Sequence, residues 1–139
     1  MNRKPDGLNG VRVFVVEDEF AVLLLVEDML ADLGCVLVGT ASRMLDAVGK
    51  AQDMHFDAAV LDVNINGEPI TPVAEVIEGR RVPIVFTTGY GISGIDPRWR
   101  DHPVLQKPYR LEEFAAALER ALGKAGASHG DEESAKTPG

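Results

Sequence analysis

At 139 residues and 15.0 kDa, with 45% hydrophobic and 26% charged residues, the chain is sized for one globular domain with a real core. A formal net charge of -8 argues against nucleic acid as a partner, because phosphate backbones select basic surfaces, and favours a cation or a basic protein surface. The single cysteine, Cys35, excludes an internal disulfide, and no apolar run approaches the ~20 residues of a membrane helix. With no signal-peptide core near the N-terminus, a soluble, cytoplasmic protein is expected.

Residues 1–9 are polar, contain Pro and Gly, and read as a flexible lead-in. Val11 to Val16 is a β-branched run, hence a first strand, ended by Glu17-Asp18-Glu19. Phe20 to Leu33 lacks Gly and Pro and is long enough for a helix, with Gly34 just past its end. Cys35 to Gly39 is a short second strand. Ser42 is placed to cap a helix over 43–52, with Leu45, Val48 and Ala51 or Gln52 on its apolar face.

Ala58 to Asp62 is a third strand, halted by Asn64, Gly67 and Pro69. Thr71-Pro72 signals a helix start, with Thr capping and Pro in the first turn, and an end near Gly79. Val82 to Thr87 is strand four, where Pro83 is tolerable only near the beginning. Gly89 to Pro97 holds too many breakers for a strong helix and predicts a short or mobile segment. Pro103 to Gln106 is a fifth strand, and Leu111, Phe114, Ala115, Leu118 and Leu122 mark one face of a terminal helix. Residues 123–139 lack apolar periodicity and are expected to form a disordered tail.

This alternation predicts an α/β fold, a doubly wound (βα)5 parallel sheet of the flavodoxin-like order 2-1-3-4-5. All strand ends then share one edge, where ligands of such sheets bind. Strand one contributes Glu17 and Asp18, strand three Asp62, strand four Thr88 and strand five Lys107. Each has an ordinary reading alone: acids suit the next helix's N-terminus, a Thr suits a turn, a Lys suits solvent. Together they form a phosphoryl-handling set. Clustered carboxylates repel unless a cation relieves them, and hard oxygen donors suit Mg²⁺. Asp62 is positioned to attack phosphorus, with Lys107 and the cation balancing the phosphoryl charge.

The segments Val15-Val16-Glu17-Asp18, Val60-Leu61-Asp62, Phe86-Thr87-Thr88-Gly89 and Lys107-Pro108 resemble the receiver domains of two-component response regulators. The resemblance covers residues 10–122, and the Phe-x-Thr-Gly-Tyr pattern of 86–90 is similar to a stand-alone, single-domain subgroup. It implies that Asp62 is the phosphoacceptor, that Glu17 and Asp18 organise Mg²⁺, and that the Asn64 carbonyl is a further ligand. Thr88 is implied to be the switch hydroxyl, Lys107 the phosphoryl-binding lysine, and Lys107-Pro108 a cis bond. A sensor histidine kinase or histidine phosphotransfer protein is the implied partner, with a homodimer left open and no membrane partner. By that likeness the chain is a phosphoacceptor and not an enzyme, its own site serving its phosphorylation and dephosphorylation.

One departure stands out. The family's inward-rotating aromatic falls at Val104, so Tyr90 or Tyr109 takes that part or the output works without it. Two other classes compete. A Mg²⁺-dependent phosphohydrolase with an aspartyl-phosphate intermediate needs a second acid two residues on, where this chain has Asn64. A flavodoxin-like FMN binder needs a phosphate loop after strand one, where acids stand instead.

Overall fold

Val13 to Val16 and Ala58 to Leu61 are apolar at consecutive positions, so strands made from them must be covered on both faces. The structure, a computed structural model, describes residues 6–90 and 95–131 and satisfies that demand. The strands are β1 (Arg12–Val16), β2 (Val36–Ala41), β3 (Ala58–Asp62), β4 (Asn64–Ile65), β5 (Glu68–Pro69), β6 (Ile84–Thr88) and β7 (Val104–Gln106). The helices are α1 (Phe20–Asp32), α2 (Met44–Asp53), α3 (Thr71–Gly79) and α4 (Leu111–Asp131). The main sheet is parallel, in the order β2-β1-β3-β6-β7, and β4 pairs with β5 in a separate antiparallel hairpin. Setting that hairpin aside, the order is the expected 2-1-3-4-5.

The period-two alternation sorts the core into two layers. Phe14, Val16, Ala59, Leu61, Ile84 and Phe86 face α2 and α3, where Ala47, Ala51, Val73, Ala74 and Ile77 are buried. Val13, Val15, Ala58, Val60 and Val85 face the other way, onto Val26, Met29 and Leu30 of α1 and Phe114 and Leu118 of α4. The i, i+3, i+4 spacing of the α1 set is what a helix buries on one stripe. Gly34 follows with φ of 79°, and a Cβ there would meet the Asn9 side chain at 2.6 Å.

Several expectations need correction. The lead-in before residue 10 is partly structural: Asp6–Leu8 forms a 3₁₀ turn and Leu8 is fully buried beneath α4 and α1. Its carbonyl accepts from the Val11 amide and the Cys35 thiol, which pins it to the sheet. Leu45 does not join the α2 face but stands 88% exposed, because Ala47 and Ala51 bring the helix close to its neighbours. Ser42 makes no cap; the N-cap position of α2 is Arg43 and that of α3 is Ile70, neither with a side-chain cap bond. Pro72 does sit in the first turn of α3.

Helix α4 continues past Leu122 to Asp131, beyond the end of the apolar stripe. Residues 132–139 of the expected tail lie outside the described residues, as do 91–94 of the breaker-rich segment. Beyond the latter, a 3₁₀ turn at Pro97–Trp99 carries the crossover to β7, and Trp99 seats against Phe86 at 5.7 Å. Among the described residues no helix is long and apolar enough to cross a membrane.

Leu8→Ala should cost about 2–5 kcal/mol, the range for a buried leucine. Urea unfolding should show a lower midpoint at unchanged slope. A midpoint equal to wild type would return Leu8 to the lead-in.

Candidate functional site

Parallel pairing brings the carboxyl ends of β1, β3, β6 and β7 to one rim. Asp62 is the last residue of β3 and lies opposite Thr87 of β6, while Thr88 lies opposite Gln106 of β7. Glu17 directly follows β1, its amide donating to the Ala41 carbonyl at 3.0 Å. Lys107 directly follows β7, its amide donating to the Thr88 carbonyl at 2.8 Å, and the Lys107-Pro108 bond is cis as expected. These backbone bonds continue the sheet ladder past the strand ends, so the side chains are delivered by rigid elements.

The side chains converge. The Lys107 ammonium sits 2.9 Å from Asp62 Oδ2 and 3.1 and 3.2 Å from the two Glu17 oxygens. Glu19 comes within 3.7 Å of the same ammonium. Carboxylate oxygens of Glu17, Asp18 and Asp62 all lie within 4.8 Å of one another. Asp62 is 6% exposed and Glu17 3%, so their charges are poorly screened and repel. Burial, then the charge of Asp62, push the Glu17 carboxyl up to about 7 against the pull of Lys107. Burial works to lower the Lys107 pKa, but hydrogen bonds and charge from Asp62 and Glu17 outweigh it and raise it.

The remaining expected residues are nearby with different surroundings. Asn64 lines the cleft; its amide donates to Asp62 Oδ1 at 3.1 Å and its side-chain oxygen accepts from the Gly67 amide at 2.9 Å. Thr88 is fully buried, and its hydroxyl accepts from the Tyr90 amide at 3.0 Å. Tyr90 is 81% exposed, whereas Tyr109 is buried on Phe114, its hydroxyl without a hydrogen-bond partner among the described residues. Burial, then Glu17, push the Tyr109 phenol up to about 12.

The open cleft over these groups, about 560 Å³, is lined by Asp18, Asp62, Asn64, Gly67, Tyr90 and Lys107 among others. Its donors among the described residues are carboxylates, with no sulfur or imidazole, which fits a hard divalent cation. One participant was missed from sequence. The Asn66 amide donates to Asp18 Oδ2 at 2.7 Å, and its side chain donates to the Ser42 carbonyl at 3.0 Å. The Asn66-Gly67 dipeptide is a strong hairpin signal, of which the sequence reading used only Gly67, as a strand stop.

A carboxyl held near 7 in the fold and near 4.5 when unfolded keeps its proton longer in the native state. The native state then binds more protons between those values, so stability from this group falls as pH rises through them. In chelator, wild type should melt progressively lower relative to Glu17→Gln as pH rises from about 5 to about 8. A difference independent of pH would contradict the assignment.

No protein-family model matches the chain. SdrG from Sphingomonas melonis Fr1, solved in solution, is 41% identical with a TM-score of 0.75, covering 81% of this chain and 97% of that one. The receiver domain of a Pseudomonas aeruginosa PAO1 sensor histidine kinase, solved with a magnesium ion coordinated in its active-site cleft, is 26% identical. Its TM-score is 0.70, over 82% of this chain and 98% of that one. The transcriptional regulatory protein TcrA of Mycobacterium tuberculosis is 34% identical over 126 residues, 86% of this chain and 48% of TcrA. The chain thus spans about half the length of that curated relative. On fold, rim geometry and these likenesses, the chain belongs to the family of response-regulator receiver domains.

Proposed function

We propose that the domain accepts a phosphoryl group on Asp62 from a histidine kinase or histidine phosphotransfer protein and signals through protein contacts. The observation that carries this is the Lys107 ammonium 2.9 Å from Asp62 Oδ2 beside a cluster of three mutually close carboxylates. Such a site holds a nucleophilic oxygen, a fixed positive charge and cation donors at one point. A second acid at Asn64, which hydrolysis of phosphate esters by an aspartyl-phosphate enzyme would use, is missing.

In the transfer, an Asp62 carboxylate oxygen attacks phosphorus, a new O–P bond forms and the donor's N–P bond breaks. The bonding pair returns to the imidazole nitrogen. Magnesium, held by Asp18, Asp62 and the Asn64 carbonyl with Glu17 alongside, would offset charge on the phosphoryl oxygens. Lys107 exchanges part of its hold on Glu17 and Asp62 for the phosphoryl group, which carries about -2 charge. Thr88 turns its hydroxyl proton toward a phosphoryl oxygen, which loads the Tyr90 amide bond. Phe20 and Leu24, exposed four residues apart on α1 directly after the acids, offer apolar area for a protein donor.

Acetyl phosphate with Mg²⁺ should add one hydroxylamine-labile phosphate per chain, and Asp62→Asn should add none. Labelling that persists in Asp62→Asn, or that survives chelation, would overturn the role of the residue or of the metal. Mg²⁺ should also raise the melting temperature by binding only the folded site, and Asp18→Asn should remove most of that rise.

A further inference from the structure

Asn66 and Gly67 close the β4–β5 hairpin with φ of 53° and 86°. Both lie in the left-handed region, and Asn-Gly is the pair that such a two-residue turn favours. The turn lies against two other loops. Its Asn66 amide donates to Asp18 Oδ2 at 2.7 Å, and the Asn66 side-chain nitrogen donates to the Ser42 carbonyl at 3.0 Å. Inside the hairpin the Gly67 amide donates to Asn64 Oδ1 at 2.9 Å, and Ile65 is fully buried beneath it. One residue therefore ties the β1–α1, β2–α2 and β3–α3 loops together at the rim.

We propose that Asn66 is a positioning residue for the Mg²⁺ site: its amide sets the Asp18 carboxylate, and its side chain holds that amide in place. The inference rests on the metal-dependent reading above. Asp18 is only half-buried, and its carboxylate lies within 4.8 Å of those of Glu17 and Asp62, whose like charge repels it. A short, charge-assisted bond from a backbone amide opposes that repulsion at one oxygen and leaves Oδ1 outside that bond. Restraining the carboxylate beforehand removes an ordering cost from cation binding. The Ser42 anchor matters because an exposed two-residue turn otherwise moves freely. Asparagine combines both requirements, since it tolerates positive φ and carries a side-chain donor.

The test compares the full chain with Asn66→Gly and Asn66→Ala by Mg²⁺ titration calorimetry and by melting in chelator. Asn66→Gly keeps the amide and the left-handed turn and deletes the Ser42 anchor alone. It should weaken Mg²⁺ binding about tenfold, as loss of an outer-shell partner does. Its metal-free melting temperature should stay within about 2 °C of wild type. Asn66→Ala, which disfavours the turn itself, should bind more weakly still. Should either variant misfold, the Asn66 amide proton offers a separate reading in Asp18→Asn, where weakening of the charged bond should move it upfield. Equal Mg²⁺ affinity in Asn66→Gly and wild type, a lower melting temperature with affinity intact, or an unmoved amide proton would each overturn the proposal. Wild type that takes up no Mg²⁺ would instead remove the metal reading, and the proposal with it.

Discussion

The ion pair between Lys107 and Asp62 is the constraint around which the rim is arranged. Two carboxyl groups almost sealed from water stand beside a third, and the ammonium at 2.9 Å from one and 3.1 Å from another is their counterweight. Buried like charges are expensive, and an opposite charge recovers that cost only when its geometry is good. The geometry here comes from the sheet. Lys107 is held by a ladder-like bond to Thr88, and Asp62 ends a strand buried on both faces. Neither group can retreat without breaking the fold that surrounds it.

That arrangement leaves the site electrostatically unfinished. Glu17 is driven toward its neutral form by burial and by Asp62 even with the lysine beside it. Negative density remains in excess over positive, so a cation is welcome at the rim. Lys107 is shared among Asp62, Glu17 and Glu19 rather than committed to one partner. The phenol of Tyr109, buried close by, adds a polar group whose environment any shift of those charges will change.

The supporting structure is divided between the two faces of the sheet. On one, α1 and α4 close over Val13, Val15 and Leu8, which makes Leu8 part of the core. On the other, α2 and α3 meet through alanines, so their approach is set by small side chains and Leu45 is left in solvent. The β4–β5 hairpin lies beyond the end of β3 and reaches across the rim to loops from β1 and β2. It adds Ile65 to the core and holds Asp18 through the Asn66 amide.

Much of this was readable from residue order alone. Consecutive apolar residues in β1, β3 and β6 require cover on both faces, which dictates a parallel sheet with crossover helices. The acids, Thr88 and Lys107 then fall at strand ends as a direct consequence of side-chain spacing and chain polarity. What only tertiary structure decided depends on contacts distant in sequence. Leu8 is core because α4 arrives more than a hundred residues later to cover it, and Leu45 is exposed because Ala47 and Ala51 fit closer. Asn66 meets Asp18 and Ser42 because three loops separated along the chain share one rim. Local pattern determines which residues can form each element. Which of them touch is settled only when the elements compete for the same space.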